Sequence, residues 1–485
     1  MVSATLPNER VSFTGVSYEE MVKRARALVP VFAERAPACE KLRRMPDENE
    51  RDLHRTGLFR VVQPARVGGA DLDVGILVDV CSEIAKVCPS TAWNLGNLSS
   101  HHWMLGYFEP ETQDEIWDAS PDTLIATSLA FACGRGRKVD GGYEVTGRWP
   151  MSSGIDNSDW NMLGFLVRES DDGPPVDSRF ALVHRSEYEI IDTWHAVGLA
   201  GTGSKDVAVS KLFVPERRSL TAWAMNGKPH AGSKINPSPL FRLPLLALGP
   251  YVLTGVMLGC AKGAYETVVG GARTRNATNT GIPIGGNQAV QIKVAEASAR
   301  IDTAEMLMQR ACAHAMDTAR AGAEFTQDMK VRYRRDAFFS TRLCLEAVDI
   351  LMGVAGSSGI YLGGTMQRLF RDAHAANAHV MFSPDLQGTL FGQHLGLVVE
   401  RLVDSVHDLG FDGGIEHGLL RRDALADPKV FPPALETRNV DLQDRLAQSR
   451  IPSDSSHLWA AANSSKRHIG RSAVASMPST RETRS

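Results

Sequence analysis

Residues 141–160 read GGYEVTGRWPMSSGIDNSDW, and this stretch decides how the chain divides. Asp140-Gly141-Gly142 has the composition of a tight hairpin turn. Tyr143, Val145 and the Gly147-Arg148-Trp149 corner then alternate as a half-buried strand does. The strand runs into Pro150, Met151, the paired hydroxyls Ser152 and Ser153, and Gly154. A strand ending in Trp-Pro-X-Ser-Ser-Gly can set a flat aromatic wall beside hydroxyl and backbone donors. That combination suits a planar heteroaromatic ligand with ring nitrogens to satisfy. An ordinary strand and turn with a buried Trp would carry the same residues, so the stretch by itself leaves both readings open.

Outward from this strand the texture stays β-like. Residues 124–129, 161–167, 180–183, 188–192 and 207–214 are short apolar or β-branched runs separated by Gly, Pro and Asp. Their spacing predicts a small β-sandwich or barrel over 121–225. On the N-terminal side the pattern is helical. Met21, Ala25, Leu28, Val29, Phe32 and Ala33 recur at three- and four-residue steps. Pro46-Asp47-Glu48 opens a second helix that Gly57 ends. Residues 74–88 and 90–117 supply further helices, so 1–120 reads as an all-α domain preceded by a loose arm over 1–16.

On the C-terminal side, 245–269, 289–320, 331–354 and 383–402 predict four long helices with short links, a bundle over 226–410. Lys262, Glu266 and the interspersed glycines argue against a membrane span at 245–269. Residues 411–485 read as an extension; over 451–485 it has five Lys/Arg against two Asp/Glu and no apolar periodicity, as a largely flexible tail would. The chain as a whole is an α+β protein of 485 residues, with two or three domains by length.

Composition narrows the function classes. Hydrophobic residues make up 43% and charged residues 22%, which fits a globular chain. The formal net charge of -3 supplies no electrostatic pull toward nucleic acid or an anionic membrane. Seven cysteines, an odd number with no CxxC, read as reduced thiols. Met1-Val2-Ser3-Ala4 lacks the basic-then-apolar pattern of a targeting peptide, and cytoplasmic placement is the expectation.

Three more stretches hold chemistry. His101 and His102 stand side by side in Ser99-Ser100-His101-His102-Trp103 and point to different helix faces, so one can be buried while the other is solvated. Gly201-Thr202-Gly203-Ser204-Lys205-Asp206 permits close backbone approach and adds the Thr202 and Ser204 hydroxyls. It is neither a P-loop nor a dinucleotide fingerprint. Arg371-Asp372 precedes His374 and His379; five residues apart, these two imidazoles do not share a helical face, which argues against a zinc pair. A neutral His here could accept a proton near pH 7. An Arg371–Asp372 ion pair with two incidental histidines is the plain alternative. No metal site is expected.

In order and spacing, Pro64-X3-Gly68-Gly69, Ser90-Thr91-Ala92-Trp93, His101-X-Trp103, Gly147-Arg148-Trp149-X2-Ser152-Ser153-Gly154, 201–206 and Arg371-Asp372 with His379 resemble the acyl-CoA dehydrogenase superfamily. More narrowly they resemble the flavin-dependent monooxygenases built on that fold, the oxygenase components of two-component systems such as the p-hydroxyphenylacetate and steroid-phenol hydroxylases. The resemblance spans roughly residues 46–409.

It implies an N-terminal helical domain, a middle β-domain and a C-terminal four-helix bundle, assembled as a homotetramer. It implies reduced flavin (FMNH2 or FADH2) and O2 as cofactors, a small aromatic substrate, and a separate NAD(P)H:flavin reductase. Trp149, Ser152 and Ser153 match the segment flanking the flavin ring. Ser153 matches the hydroxyl at the reactive ring nitrogen, where it would protect the hydroperoxide from loss of hydrogen peroxide. Thr202, Ser204 and Arg371 join the cofactor set. Arg273, Gln288 and Gln291 match contacts to the flavin tail across subunits, with Arg275 competing for the place of Arg273. His379 matches the base beside the substrate phenol, and His101 a second histidine of the pocket. The catalytic glutamate of the dehydrogenases has no counterpart; Val380 stands at the aligned place. An oxidase or N-hydroxylase of the same fold, and a silent assembly subunit, are the remaining alternatives.

Overall fold

The computed structural model describes residues 11–170, 173–277 and 281–397. By its internal contacts the chain divides into Met1–Gly418 and Leu419–Ser485; the second unit, and with it the tail expected over 411–485, lies outside the described residues.

Five helices come first: α1 (Tyr18–Leu42), α2 (Asp47–Thr56), α3 (Gly75–Ala85), α4 (Pro89–Leu105) and α5 (Pro110–Trp117). The Ser17 side chain caps α1, and Gly57 at φ +77 closes α2. The expected loose arm is packed where it is described. Phe13 is buried, its N–H donates to Gly68 O at 2.8 Å, and the Arg60 guanidinium lies over its ring. Nearly all of α4 is buried, packed on α3, on the helix Tyr251–Thr274 and on the first strand.

Eight strands follow: β1 (Ile125–Ser128), β2 (Gly134–Val139), β3 (Gly142–Ser152), β4 (Trp160–Arg168), β5 (Pro175–His184), β6 (Glu189–Ile191), β7 (Lys205–Pro215) and β8 (Ser219–Thr221). They join in one sheet of order β6-β7-β3-β2-β4-β5-β8, with β1 added beside β4; β4 runs parallel to β1 and β2, and the other pairs are antiparallel. Both faces are covered. Leu163, Phe165, Ala181 and Val183 enter a core internal to the sheet, while Met162, Phe180 and Leu182 join the helical core. This is why β4 reads as continuously apolar.

The sequence reading missed β2, whose Gly-Arg-Gly-Arg looks like a loop. Its glycines are there for packing: a Cβ on Gly134 would stand 2.4 Å from the Trp149 ring, and one on Gly136 2.3 Å from Phe165.

The C-terminal helices are α6 (Leu245–Leu248), α7 (Tyr251–Thr274), α8 (Gln288–Arg320), α9 (Gln327–Ala355), α10 (Thr365–Asn377) and α11 (Pro384–His394). Gly249-Pro250 splits the helix expected over 245–269, since proline cannot donate within a helix. The fourth bundle helix is α10, which packs on α7 and α9, rather than the 383–402 segment; α11 is shorter and packs on α9. Two stretches, Leu245–Thr274 and Gln327–Ile360, have the length and apolar content to cross a bilayer. The first is 89% buried within the protein, as a core helix is, and the second carries Glu346 and Asp349 paired with Arg300 and His374.

Candidate active site

At the end of β3 the pairing with β7 slips between Trp149 and Ser152, and Met151 adopts φ +58. This bulge re-aims the following side chains. Trp149 precedes it and turns inward. Its ring is fully buried in the sheet core and its indole N–H donates to Gly164 O at 2.6 Å, so it is not the aromatic wall expected from the sequence. Ser152 is buried too; it accepts from Asn161 Nδ2 at 3.0 Å and donates to Thr127 O at 3.4 Å. Those bonds tie β3 to β4 and β1, and the expected cofactor contact from Ser152 is not available.

Ser153 comes out of the bulge partly exposed. Gly154, at φ +73, then turns the chain, and its N–H donates to Thr202 O at 3.0 Å. This backbone bond brings the 199–204 loop to Ser153. Ser153 Oγ lies 2.8 Å from Ser204 Oγ, which lies 2.6 Å from Thr202 Oγ1. From α4, Trp93 donates its indole N–H to Ser153 Oγ at 3.1 Å. Trp93 is therefore the aromatic ring beside the hydroxyl. Its motif was singled out in the sequence, but burial on nearly every side of α4 hid its direction.

His379 stands edge-on to Trp93, with ring centroids 5.5 Å apart and planes at 71°. The sequence reading put His379 on a bundle helix. In fact α10 ends at Asn377 and His379 caps a short turn, Val380–Phe382, accepting from Met381 N–H at Nδ1. In the neutral ring the proton then sits on Nε2. His379 as a whole residue is partly exposed. Desolvation pushes its pKa down to about 4, so it is neutral at pH 7.

The leading alternative at this stretch fails as well. Asp372 does not pair with Arg371; its Oδ1 accepts the Leu199 N–H at 2.7 Å, and burial raises its pKa to about 6. Arg371 bonds Glu40 and Val197 O through Nη1 and Gln367 through Nε, each within 2.8 Å. His374 is half exposed and pairs with Asp349 at 2.8 Å.

His101 lies eight residues after Trp93 on α4, about 12 Å along the helix axis. It is buried, its Nδ1–H donates to Ile125 O, and desolvation lowers its pKa to about 4. His102 is buried likewise, against the expected split: its Nδ1 accepts from Trp117 Nε1 and Gln63 Nε2, and its pKa falls to about 3. Arg273, Gln288 and Gln291 are exposed at the far turns of α7 and the start of α8, and Gln291 donates to Gly285 O at 2.9 Å. Nearby, Arg275 rather than Arg273 lines a cavity of about 280 Å³ with Ser358, Gly359, Gly364 and Thr365.

One residue escaped the sequence reading altogether. Asn94, next to Trp93, is fully buried, and neither its carboxamide oxygen nor its nitrogen has a partner among the described residues. An asparagine inside an apolar helical stretch was the available signal. A partly exposed Ser153 hydroxyl beside a flat indole edge fits a planar ring with a nitrogen to satisfy. Among the described residues no cluster of His, Cys, Asp and Glu could hold a metal ion.

Comparison with known proteins shows the family. Residues 251–384 match the family described as "Acyl-CoA dehydrogenase, C-terminal domain". The chain is 35% identical over 369 residues to the flavin-dependent monooxygenase oxygenase subunit HsaA of Mycobacterium tuberculosis, spanning 76% of this chain and 93% of that one. It is 36% identical over 389 residues to the FADH(2)-dependent resorcinol hydroxylase, oxygenase component, of a Rhizobium species, spanning 77% and 93%. The crystal structure of the 3-HSA hydroxylase from Rhodococcus sp. RHA1 superposes with a TM-score of 0.75 at 34% identity, over 79% of this chain and 99% of that one. The chain belongs to the oxygenase subunits of the flavin-dependent monooxygenases built on the acyl-CoA dehydrogenase fold. It is an enzyme that uses reduced flavin and O2, and a separate reductase component supplies the flavin.

Proposed function

We propose that this oxygenase hydroxylates a phenolic or polycyclic aromatic substrate held beside the Trp93–His379 pair, with the flavin ring against Ser153. The observation that carries the reading is the placement of Ser153 and His379 on two sides of one indole, at 3.1 Å and at a centroid distance of 5.5 Å. A bound reduced flavin supplies the electrons that divide O2 between product and water. Ser153 presents its hydroxyl oxygen to a ring nitrogen. His379 is neutral and carries its proton on Nε2. It serves the phenol as a hydrogen-bond partner that favours the phenolate, the electron-rich form of the ring. A hydrogen bond to a charged oxygen is worth about 1.5–3 kcal/mol, or about 10–100-fold in rate. Buried apolar surroundings exclude water and with it wasteful loss of peroxide.

The relatives named for resorcinol and for FADH(2) make a phenol the first substrate class to try and FADH2 the first flavin. Arg275, Ser358 and Thr365 would receive the flavin tail at the 280 Å³ cavity, with Arg273, Gln288 and Gln291 offered to a neighbouring subunit. A homotetramer is supported by the exposed apolar run Ile360, Tyr361 and Leu362, at 63%, 71% and 83%. Cytoplasmic placement belongs to the same reading.

The test mixes the anaerobic complex with FADH2 or FMNH2 against oxygenated buffer, with resorcinol, p-hydroxyphenylacetate or no phenol. Oxygen incorporation into a phenol supports the proposal. Peroxide as the sole product with every phenol tried, and a rate of flavin oxidation equal to that in free solution, would refute it.

A further inference from the structure

Trp93, Ser153, Ser204, Thr202 and Leu199 form one continuous hydrogen-bonded chain, and its two ends have fixed polarity. The indole N–H of Trp93 can only donate, and it donates to Ser153 Oγ at 3.1 Å. The Leu199 carbonyl can only accept, and Thr202 Oγ1 donates to it at 2.9 Å. Between them lie three hydroxyls with one proton each, linked at 2.8 and 2.6 Å.

When Thr202 donates to Leu199 O, Ser204 must donate to Thr202 and Ser153 to Ser204. Every link is made, and Ser153 has only a lone pair left for an incoming atom. The reverse order, Thr202 to Ser204 to Ser153, frees the Ser153 proton but forfeits the bond to Leu199 O. That carbonyl keeps the Trp194 Nε1 and Thr202 N donors, both at 3.1 Å, in either case. Reversal thus loses one hydrogen bond, a weight of about tenfold in an equilibrium. The chain's terminus is itself anchored, because Leu199, at φ +51, gives its N–H to buried Asp372.

We propose that Thr202 and Ser204 are positioning residues that hold Ser153 as a hydrogen-bond acceptor, and that this selects a flavin bearing hydrogen on the ring nitrogen. The reduced form offers that N–H. The oxidised form presents a bare lone pair, which meets the lone pair of Ser153. The inference rests on the placement of the flavin ring at Ser153. It also moves Thr202 and Ser204 out of direct cofactor contact: both are buried and act through Ser153.

The experiment measures dissociation constants for reduced flavin (anaerobically) and oxidised flavin with the parent chain and with Thr202→Val, Ser204→Ala, Thr202→Ser and Ser153→Ala. Thr202→Val and Ser204→Ala each free the Ser153 proton, so the oxidised/reduced ratio is expected to fall about tenfold, mainly through tighter binding of the oxidised form. Thr202→Ser keeps the hydroxyl and is expected to retain the parent ratio. Ratios unchanged in Thr202→Val and Ser204→Ala, or equal losses for both flavin forms, overturn the proposal. A parent chain that binds neither form, or a Ser153→Ala variant identical to the parent in both constants, overturns the placement of the flavin at Ser153 and the proposal with it.

Discussion

The indole of Trp93 stands edge-on to the imidazole of His379, 5.5 Å between centroids at 71°, while its N–H reaches Ser153. One rigid ring on α4 thereby sets the spacing between a hydroxyl from the β-sheet and a histidine from beyond α10. A change at any of the three is expected to appear in how oxygen use is coupled to product.

Ser153 is the most direct test. Ser153→Ala removes the hydroxyl but leaves Trp149, Ser152 and the bulge intact. Reduced-flavin affinity is expected to stay within a few-fold, the scale of one neutral hydrogen bond. The share of oxygen released as peroxide should rise several-fold. Simultaneous assay of O2 consumed, peroxide and hydroxylated product reads this, and unchanged coupling would remove Ser153 from the reacting centre.

His379→Ala is expected to leave oxygen uptake by the reduced complex near the parent rate and to lower product formation about 100-fold, the scale of a lost hydrogen bond to a charged oxygen. His379→Asn keeps an N–H donor and should recover part of that loss. Because burial holds His379 near 4, product formation should show no titration of this group around pH 6.5. His374→Ala should change the rate less than twofold to threefold, since that imidazole pairs with Asp349 on an exposed face. If His374→Ala is the variant that fails, the pocket has been built around the wrong histidine.

Gly198 tests the join between the 199–204 loop and the bundle. A Cβ at this position would lie 2.2 Å from Arg371 O and 2.9 Å from Ala375 Cβ. Gly198→Ala is expected to cost about 1–3 kcal/mol by overpacking against backbone, and to weaken flavin binding because Leu199 and Thr202 move together. Urea denaturation and flavin titration check both, and a variant with the parent's midpoint would show that α10 can retreat.

Acid should destabilise the fold in a defined window. His101 and His102 are held neutral with pKa values of about 4 and about 3. Unfolded histidines titrate near ~6.5. A depressed folded value contributes stability that is present above ~6.5 and lost as pH falls toward the folded value, with a slope up to about 1.4 kcal/mol per pH unit for each group. Asp372 opposes them: its raised value of about 6 contributes stability at low pH that is lost as pH rises through 6. Two histidines outweigh one aspartate, so unfolding midpoints should drop from pH 6.5 to 4.5. Asp372→Asn, which keeps an acceptor for Leu199 N–H, should gain on the parent as pH rises from 4 to 7. Midpoints flat across that range would contradict the burial of these groups.

Read alone, the sequence determined the layer order, because helical periodicity in α1 and α8 and the short β-branched runs of β4 and β7 are local patterns that neighbours only reinforce. It also singled out Ser153 and His379, two residues that the structure brings to the indole of Trp93. It could not assign directions. Trp149 and Trp93 exchange roles because the β3 bulge and the two-sided burial of the sheet, not strand alternation, decide which ring reaches the site. α4 is buried all round, so no stripe reveals that Trp93 faces Ser153 or that Asn94 lies unpaired beside it. Arg371 and Asp372 look like a pair but are drawn to Glu40 and Leu199, partners more than 150 residues away along the chain. The hydroxyl chain through Ser204 and Thr202 likewise exists only once the Gly154–Thr202 backbone bond has closed, and that closure is a property of the packed tertiary structure.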